Sequence, residues 1–215
     1  YLEDRGSAQC KSSVMLAALN ASGTTTIKAK KSRNHSELLF KYLKIPIKIK
    51  KTKKYDFIDI NQSKEIKAFN YQIPGDISSS AFFMVLTTLT NNSRLLIKNV
   101  NINPSRSGVI TILKKMGAKI LLKNQRIYRG EKISDIFIQS SNNLKAINCP
   151  TELNSNAIDE FLVIFLVAAK AKGISYFKDV SELNEKESPR LNLGSKILNM
   201  MGIETELTKY SIKIY

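Results

Sequence analysis

The sequence predicts a mixed α/β fold in which apolar helices lie inside while sheets and amphipathic helices lie outside. One helix–strand–helix–strand pattern occurs three times, and in each copy the first helix is apolar nearly all round whereas the second is one-sided. A helix that is apolar all round is buried on most sides, and a one-sided helix keeps its lysines in water. The repeat of roughly seventy to eighty residues is too long for a common solenoid, so a closed, pseudo-symmetric arrangement is expected.

The first copy starts with "SSVMLAALNASGTTTIKAK", from Ser12 to Lys30. It is typical of an apolar helix that stops at Gly23 and is followed by a β-branched strand. A loop with Arg33, an amphipathic helix and an alternating strand follow in "SRNHSELLFKYLKIPIKIK", and "DFIDI" adds another strand.

The second and third copies keep this order. Their first helices stop at Asn92 and Gly173, and their second helices close with Met-Gly. The helices that begin near Ser12, Ser78 and Asp159 are therefore the ones we expect to be buried. The stretches concerned are "SSSAFFMVLTTLTNNSRLLIKNV", "NPSRSGVITILKKMGAKILLK", "DIFIQ", "DEFLVIFLVAAKAKGISYFKDV" and "SELNEKESPRLNLGSKILNMMGIETEL".

The composition narrows the classes of partner. Lys and Arg number 34 against 18 Asp and Glu, a net charge of +16, which favours an anionic partner. The lysines are scattered and form no basic helix face with interleaved aromatics, so no nucleic-acid partner is predicted. Abundant Lys, Ile and Asn are also expected from an AT-rich genome, which explains part of the charge.

Two cysteines, Cys10 and Cys149, show neither disulfide nor zinc spacing, so a reducing cytoplasm is the default location. No apolar run reaches the ~18–20 residues of a membrane helix, and no membrane partner is predicted. The chain starts at Tyr1 without an initiator methionine and ends on the strand-like "YSIKIY". We therefore expect a piece of a longer protein.

Several motifs in a fixed order carry a family resemblance. They are "GSAQCKSSVMLAAL", "SRNHSE", "IPGDISSSAFF", "NPSRSGV", "AIDEFLVIFLVAA" and "ELNEKESPRL". Together they resemble the enolpyruvylshikimate-phosphate synthase (3-phosphoshikimate 1-carboxyvinyltransferase) family over essentially the whole chain. The resemblance implies two domains, each an inside-out α/β barrel of three βαβαββ units. Residues 1–72 would be the last unit of the first domain and residues 73–215 two units of the second, truncated at both ends.

The resemblance also implies an activity. The family transfers the enolpyruvyl group of phosphoenolpyruvate to the 5-hydroxyl of shikimate 3-phosphate and releases phosphate, within aromatic amino acid biosynthesis. Such chemistry needs proton donors and acceptors, and cations for two phosphates and a carboxylate. It needs no metal and no cofactor, and a cytoplasmic monomer is expected.

The third copy would supply the reacting groups. By resemblance, Asp159 binds the shikimate ring and accepts the hydroxyl proton, Lys186 and Glu187 handle protons, and Lys186 also contacts shikimate 3-phosphate. Arg190 clamps phosphoenolpyruvate, since a planar guanidinium suits an oxyanion. On residue types alone, acids such as Asp159 and Glu160 more often cap helices, and Glu160 is assigned mainly that role.

The first copy would bind the phosphorylated substrate. By resemblance, Ser7, Ala8 and Gln9 grip the 3-phosphate and the ring, Gln9 also contacts phosphoenolpyruvate, and Arg33 reaches shikimate 3-phosphate. Hydroxyl, amide and backbone N–H donors near a helix start make a phosphate cradle. Lys11 is expected only to add positive potential.

Other polar residues have structural explanations or depart from the family pattern. Asp76 in "PGD" is expected to cap the next helix, Arg106 to form a loop or interdomain ion pair, and His35 to hydrogen-bond within its loop. Asn34 and Pro189 stand where the family usually has aspartate, which affects fine positioning.

Three alternatives remain open at this point. One is the related UDP-N-acetylglucosamine enolpyruvyl transferase, whose family lacks the K-E-S/T-x-R signature in this form. Another is a basic nucleic-acid-binding or RNA-phosphate-processing α/β domain, which salt-dependent binding would reveal. The third is a non-catalytic relic.

Overall fold

The computed structural model describes residues 1–63 and 65–215 and divides into two compact units. Unit 1 comprises Tyr1–Ile73 and Ile127–Lys132, and unit 2 comprises Pro74–Arg126 and Ile133–Tyr215. The assignment of residues 1–72 and 73–215 to the two domains of a longer enzyme stays a prediction. None of the helices in the described part of the chain is long and apolar enough to cross a bilayer.

Unit 1 contains one four-stranded sheet with two helices packed against it. The strand order is β1-β2-β4-β3, with β1 parallel to β2 and the other pairs antiparallel. Its core consists of residues from α1, α2 and one face of the sheet, among them Met15, Ile27 and Ile58. The elements are β1 (Leu2–Glu3), α1 (Ala8–Ala18), β2 (Thr24–Lys30), α2 (His35–Tyr42), β3 (Ile47–Lys51) and β4 (Tyr55–Asn61).

The second copy follows with α3 (Ile77–Leu89), β5 (Arg94–Asn101), α4 (Gly108–Lys115), β6 (Lys119–Tyr128) and β7 (Glu131–Gln139). The third has α5 (Phe161–Ala168), β8 (Ser175–Phe177), α6 (Arg190–Met200), β9 (Thr205–Leu207) and β10 (Ile212–Ile214), with 3₁₀ turns at Thr151–Leu153 and Ser181–Glu185. Their sheets have the orders β5-β7-β6 and β8-β10-β9.

All three copies share one topology. In each sheet the last strand of the copy lies between the two before it. The leading strand is β1 in the first copy. It is reduced to isolated parallel bridges in the other two, Gly75 to Val100 in the second copy, and Lys145 to Lys172 and Asn148 to Tyr176 in the third. The repeated βαβαββ unit expected from the resemblance is therefore confirmed.

The turns after the second helices repeat as well. Lys44, Gly117 and Gly202 each have positive φ, and each donates its N–H to the carbonyl three residues earlier. The next residue donates to the carbonyl five residues earlier, which is the Schellman arrangement. The predicted stops at Gly23, Asn92 and Gly173 also have positive φ.

The burial of the first helices differs from the expectation in one copy. Helix α5 is buried almost throughout, and α3 buries one broad face while Phe82, Phe83 and Leu86 are exposed. Helix α1 buries Lys11, Met15 and Ala18, and its other residues are half-buried or exposed, so burial on most sides is not observed for α1 within this chain. Small residues and serines in α1 supply one packed face only. The second helices are one-sided, as expected.

Candidate functional site

The predicted phosphate loop of unit 1 lies at the start of α1. Ser7 is the N-cap in extended conformation, and its Oγ accepts the N–H of Cys10 at 3.2 Å. Ala8 is half-buried and Gln9 is exposed. The first N–H groups of a helix have no partner within it, so this end of α1 can offer donors to an anion.

Glu3 holds this loop in place, a role that sequence reasoning missed. Its buried carboxylate accepts the backbone N–H groups of Arg5 and Gly6 at 3.0 Å each and of Ser7 at 3.1 Å. Gly6 has a φ of +77°, which suits glycine. An acid at a strand end followed by a tight Gly turn is the only local signal for it.

Arg33 lies in the loop before α2. Asn34 is the N-cap residue of α2, and its side chain makes no capping hydrogen bond to the helix. The hydroxyls of Ser12 and Ser36 lie 2.6 Å apart and join α1 to α2.

Lys11 is buried, which corrects the expectation that it adds positive potential to the loop. Its side chain is 2% exposed, and its Nζ lies 2.6 Å from Oε1 of Glu37. The same Nζ donates to the carbonyl of Arg33 at 2.8 Å. Glu37 neutralises the charge of Lys11 inside the protein. The hydrogen bond to Arg33 joins α1 to the loop before α2. The lone "K" in a serine-rich helix gives no signal of this.

His35 opens α2 and hydrogen-bonds as expected. Its Nδ1 lies 2.6 Å from Oε1 of Glu131, which belongs to the same unit. The prediction of a hydrogen-bonding histidine is confirmed, with the difference that it belongs to the helix instead of the loop.

In unit 2 the structure brings Asp159, Glu187 and Arg190 together. The guanidinium of Arg190 donates through Nη1 to Oδ1 of Asp159 at 3.0 Å and through Nη2 to Oε2 of Glu187 at 2.6 Å. A hydrogen bond from its own backbone amide, reinforced by Arg190, lowers the pKa of Glu187. Glu187 is therefore an ionised acceptor at neutral pH.

Lys186 forms an ion pair with Glu182, which lies outside the cluster of Asp159, Glu187 and Arg190. Its Nζ lies 3.3 Å from Oε1 of Glu182, one turn earlier in the 3₁₀ turn. The structure thus joins three of the four predicted residues of unit 2 by direct contacts and gives Lys186 a partner outside that set.

Asn184 caps the start of α6, where this chain has Pro189 at the N-cap position that the resemblance assigns to aspartate. Pro189 is the N-cap and offers no side-chain hydrogen bond. Oδ1 of Asn184 accepts the N–H of Asn192 at 3.2 Å, and its Nδ2 donates to Oδ1 of Asn192 at 3.1 Å. The first turn of α6 is capped from outside its own sequence, which sequence reasoning missed.

A second polar network joins the starts of α3, α4 and α5. Ser78 Oγ donates to Oε1 of Glu160 and accepts from Nη2 of Arg106 at 2.8 Å. Arg106 also pairs with Oδ1 of Asp76 at 2.8 Å, and Asp76 caps α3 through the N–H of Ser79. The predicted cap and ion pair are confirmed, the pair lying within unit 2.

Glu160 corrects a prediction in this network. It is the N-cap residue of α5, but its side chain makes no capping bond and is 2% exposed. For Asp76, burial would raise the pKa, yet the N–H and hydroxyl of Ser79 and the charge of Arg106 outweigh it and lower the pKa.

Among residues 1–63 and 65–215, no group of three or more His, Cys, Asp or Glu side chains could hold a metal ion. Two of the open pockets have volumes of about 420 and 380 Å³. The smaller one lies beside the loop of unit 1 and is lined by Glu3, Arg5 and Cys10. The larger is lined by polar residues that include Arg94 and Lys119.

Comparison with known proteins identifies relatives along the whole chain. A family model described as EPSP synthase (3-phosphoshikimate 1-carboxyvinyltransferase) matches residues 2–215. The chain is 44% identical over 209 residues to the 3-phosphoshikimate 1-carboxyvinyltransferase of Ruthia magnifica subsp. Calyptogena magnifica, covering 97% of this chain and 47% of that protein. It is 36% identical over 216 residues to that of Bacillus subtilis (strain 168), covering 100% and 49%. The chain therefore spans about half the length of the curated relatives it matches.

Solved structures show the same relationship. EPSP synthase from Acinetobacter baumannii superposes with a TM-score of 0.89 at 38% identity, covering 100% of this chain and 47% of that one. The enolpyruvyl transferase NikO from Streptomyces tendae gives a TM-score of 0.63 at 12% identity, covering 95% and 46%. The second likeness concerns the fold alone.

Proposed function

Because the chain belongs to the EPSP synthase family, we propose that it forms the central part of an enzyme that transfers the enolpyruvyl group of phosphoenolpyruvate to the 5-hydroxyl of shikimate 3-phosphate. The observation that carries the proposal is the Arg190 guanidinium held between Asp159 and Glu187 at the start of α6. The comparisons do not favour the UDP-N-acetylglucosamine enzyme or a nucleic-acid-binding domain.

Arg190 is suited to bind an oxyanion while it holds its neighbours. A guanidinium carries five N–H donors. Among the described residues, two of these N–H groups donate to Asp159 and Glu187, which leaves three to donate to a ligand. Its side chain is 23% exposed, which leaves the fork accessible to the phosphate or carboxylate of phosphoenolpyruvate.

The carboxylates of unit 2 suit the proton transfers. In the proposed reaction the 5-hydroxyl oxygen bonds to C2 of phosphoenolpyruvate, its proton passes to Asp159, and C3 gains a proton. The adduct then loses phosphate as C3 gives its proton back and the double bond re-forms. Glu187, Lys186 and Asp159 are the groups that we assign to these transfers.

In unit 1, we assign Ser7, Ala8, Gln9 and Arg33 to shikimate 3-phosphate. The helix start and the arginine together offer neutral and charged donors, which suit a phosphate ester. That these residues share one cleft with Asp159 and Arg190 remains a prediction. A cytoplasmic, monomeric enzyme also remains part of the proposal.

Calorimetric titration of shikimate 3-phosphate into the purified chain tests the proposal. We expect saturable binding that Arg33→Met weakens at least about tenfold, because one charge-assisted hydrogen bond to the phosphate is lost. Lys41→Met, an exposed lysine of α2, is the matched control and should bind as the wild type does. Equal affinity for shikimate 3-phosphate and for inorganic phosphate would contradict the assignment of the ring to this site.

A further inference from the structure

Lys11 touches both halves of the proposed shikimate 3-phosphate site without belonging to either. Its backbone N–H donates to the carbonyl of Ser7 at 3.1 Å, and its Nζ donates to the carbonyl of Arg33 at 2.8 Å. The helix start and the arginine loop are thus connected through one residue. Both acceptors are backbone carbonyls, so these hydrogen bonds fix the backbone positions of Ser7 and Arg33.

Glu37 holds this lysine in position. It lies in α2, one turn beyond the Arg33 loop, and its Oε1 is 2.6 Å from Nζ of Lys11. Both side chains are almost fully buried, at 2% and 4% exposure. The other carboxylate oxygen, Oε2, makes no hydrogen bond within residues 1–63 and 65–215, so Lys11 is the partner that balances the charge of Glu37.

Packing of the core alone does not require a buried ion pair at this position. Well-packed apolar residues of similar size usually stabilise a protein as much as a buried ion pair does. An apolar residue at position 11 would however remove the hydrogen bond from Nζ to the Arg33 carbonyl, which joins α1 to this loop. The lysine therefore does something that a hydrophobic side chain cannot do.

We propose that Lys11, held by Glu37, is a positioning residue that sets the Arg33 loop against the start of α1 for binding shikimate 3-phosphate. The inference rests on the proposed function for its ligand, while the coupling of the loop to Lys11 rests on the contacts alone. Lys11 does not touch the substrate in this account. Its side chain acts through the carbonyl of Arg33, while its backbone N–H belongs to the first turn of α1.

The test separates positioning from stability with a charge-neutral pair of substitutions. Lys11→Met alone leaves Glu37 buried and unpaired, so its effects on binding would be mixed with loss of stability. In the double variant Lys11→Met/Glu37→Met, both charges are gone and the stability returns toward that of the wild type, as measured by urea denaturation. The hydrogen bond from position 11 to the Arg33 carbonyl is still missing in this variant.

Two readouts are then compared in wild type, double variant and the exposed control Lys41→Met. Hydrogen–deuterium exchange over residues 31–39, which include the Leu38 N–H to Asn34 carbonyl bond, should be about tenfold faster in the double variant and unchanged in β2 and β4. Affinity for shikimate 3-phosphate by calorimetry should fall about tenfold to a hundredfold, because small displacements of a binding group are costly. The control should match the wild type in both.

Unchanged exchange over residues 31–39 in a folded double variant would overturn the coupling. Faster exchange with full affinity would overturn the positioning role. A wild-type chain that fails to bind shikimate 3-phosphate would instead refute the proposed function, and the exchange measurement would still decide whether Lys11 orders the loop.

Discussion

The ion pair of unit 1 and the ion-pair cluster of unit 2 both lie at helix starts, but they differ in exposure. Lys11 and Glu37 are 2% and 4% exposed, whereas Arg190, Asp159 and Glu187 are 23%, 25% and 83% exposed. A buried pair with no competing water fixes the backbone around it. A half-exposed arginine exchanges partners at little cost, so it can give up or share a carboxylate when an anion arrives.

The largest effect is expected on turnover, where the exposed cluster acts. A transfer site must neutralise two phosphates and a carboxylate, and Arg190 is the one strong cation in the described cluster of unit 2. We expect no measurable phosphate release from the 215-residue chain by itself with both substrates. Joined to the remaining segments of a relative, the chain should turn over, and Asp159→Ala should slow it about 10²–10⁴-fold, the usual contribution of a general base.

Ordinary turnover by the chain alone would show that Arg190 suffices as the cation. Full turnover of Asp159→Ala in the completed protein would remove Asp159 from the proton transfer and make the cluster structural, like the pair of unit 1.

Stability should respond to the two pairs in the opposite order. Lys11→Met should lower the free energy of unfolding by about 3–5 kcal/mol, because it leaves a buried charge uncompensated. Arg190→Met should lower it by about 1 kcal/mol, because Glu187 is 83% exposed and Asp159 keeps a quarter of its side chain in water. Urea denaturation of both variants measures this difference. Similar losses would mean that exposure does not separate the two pairs.

The cap at the start of α6 should have a smaller and more local effect on stability than the ion pairs. Asn184→Ala should lower the free energy of unfolding by about 1 kcal/mol, as is typical for a lost helix cap. Adding Pro189→Asp to that variant should restore most of it, because aspartate at the N-cap accepts the same backbone N–H. Chemical denaturation gives the values. No loss in Asn184→Ala would mean that its bond to Asn192 contributes nothing net.

The three Schellman turns compare the copies directly. Lys44 has a φ of 58° at the position where the other copies have Gly117 and Gly202. Left-handed conformation costs a side-chain-bearing residue about 1–2 kcal/mol, so Lys44→Gly should stabilise the chain by about 1 kcal/mol. Gly202→Lys should cost about the same, since a Cβ there meets nothing within 4 Å. Thermal unfolding of both variants tests whether the turns are equivalent.

The smallest effect concerns the titration of Glu187, whose pKa lies below its ordinary value of 4.5. A carboxyl with a lowered pKa contributes stability above the unfolded pKa and loses it as pH falls through the folded one, so its bond to Arg190 should persist at pH 5. Carboxyl NMR of Arg190→Met should show the pKa raised toward 4.5 but still below it, because the larger cause is the backbone amide of Glu187. A full return to 4.5 would make Arg190 the dominant cause.

Much of the fold could be predicted because it depends on local patterns. Apolar runs of helical length, turn residues with positive φ such as Gly23 and Gly173, and alternating strands recur three times in the same order. The cap at Asp76 was predictable for the same reason, since a cap and its helix are adjacent in sequence. The contact of Asp159 with Arg190 could be expected only through the family resemblance.

By itself, the sequence determined the repeated unit, the stops of its helices and the family, since each depends on residue types at short spacing. The tertiary structure alone decided which side of α1 is buried, that Lys11 is paired inside with Glu37, and that Glu160 binds Ser78 instead of capping α5. It also made Asn184 the cap of α6. The physical reason is that burial and hydrogen-bond partners depend on which distant segments the chain brings together, and a single sequence carries no local signal of those meetings.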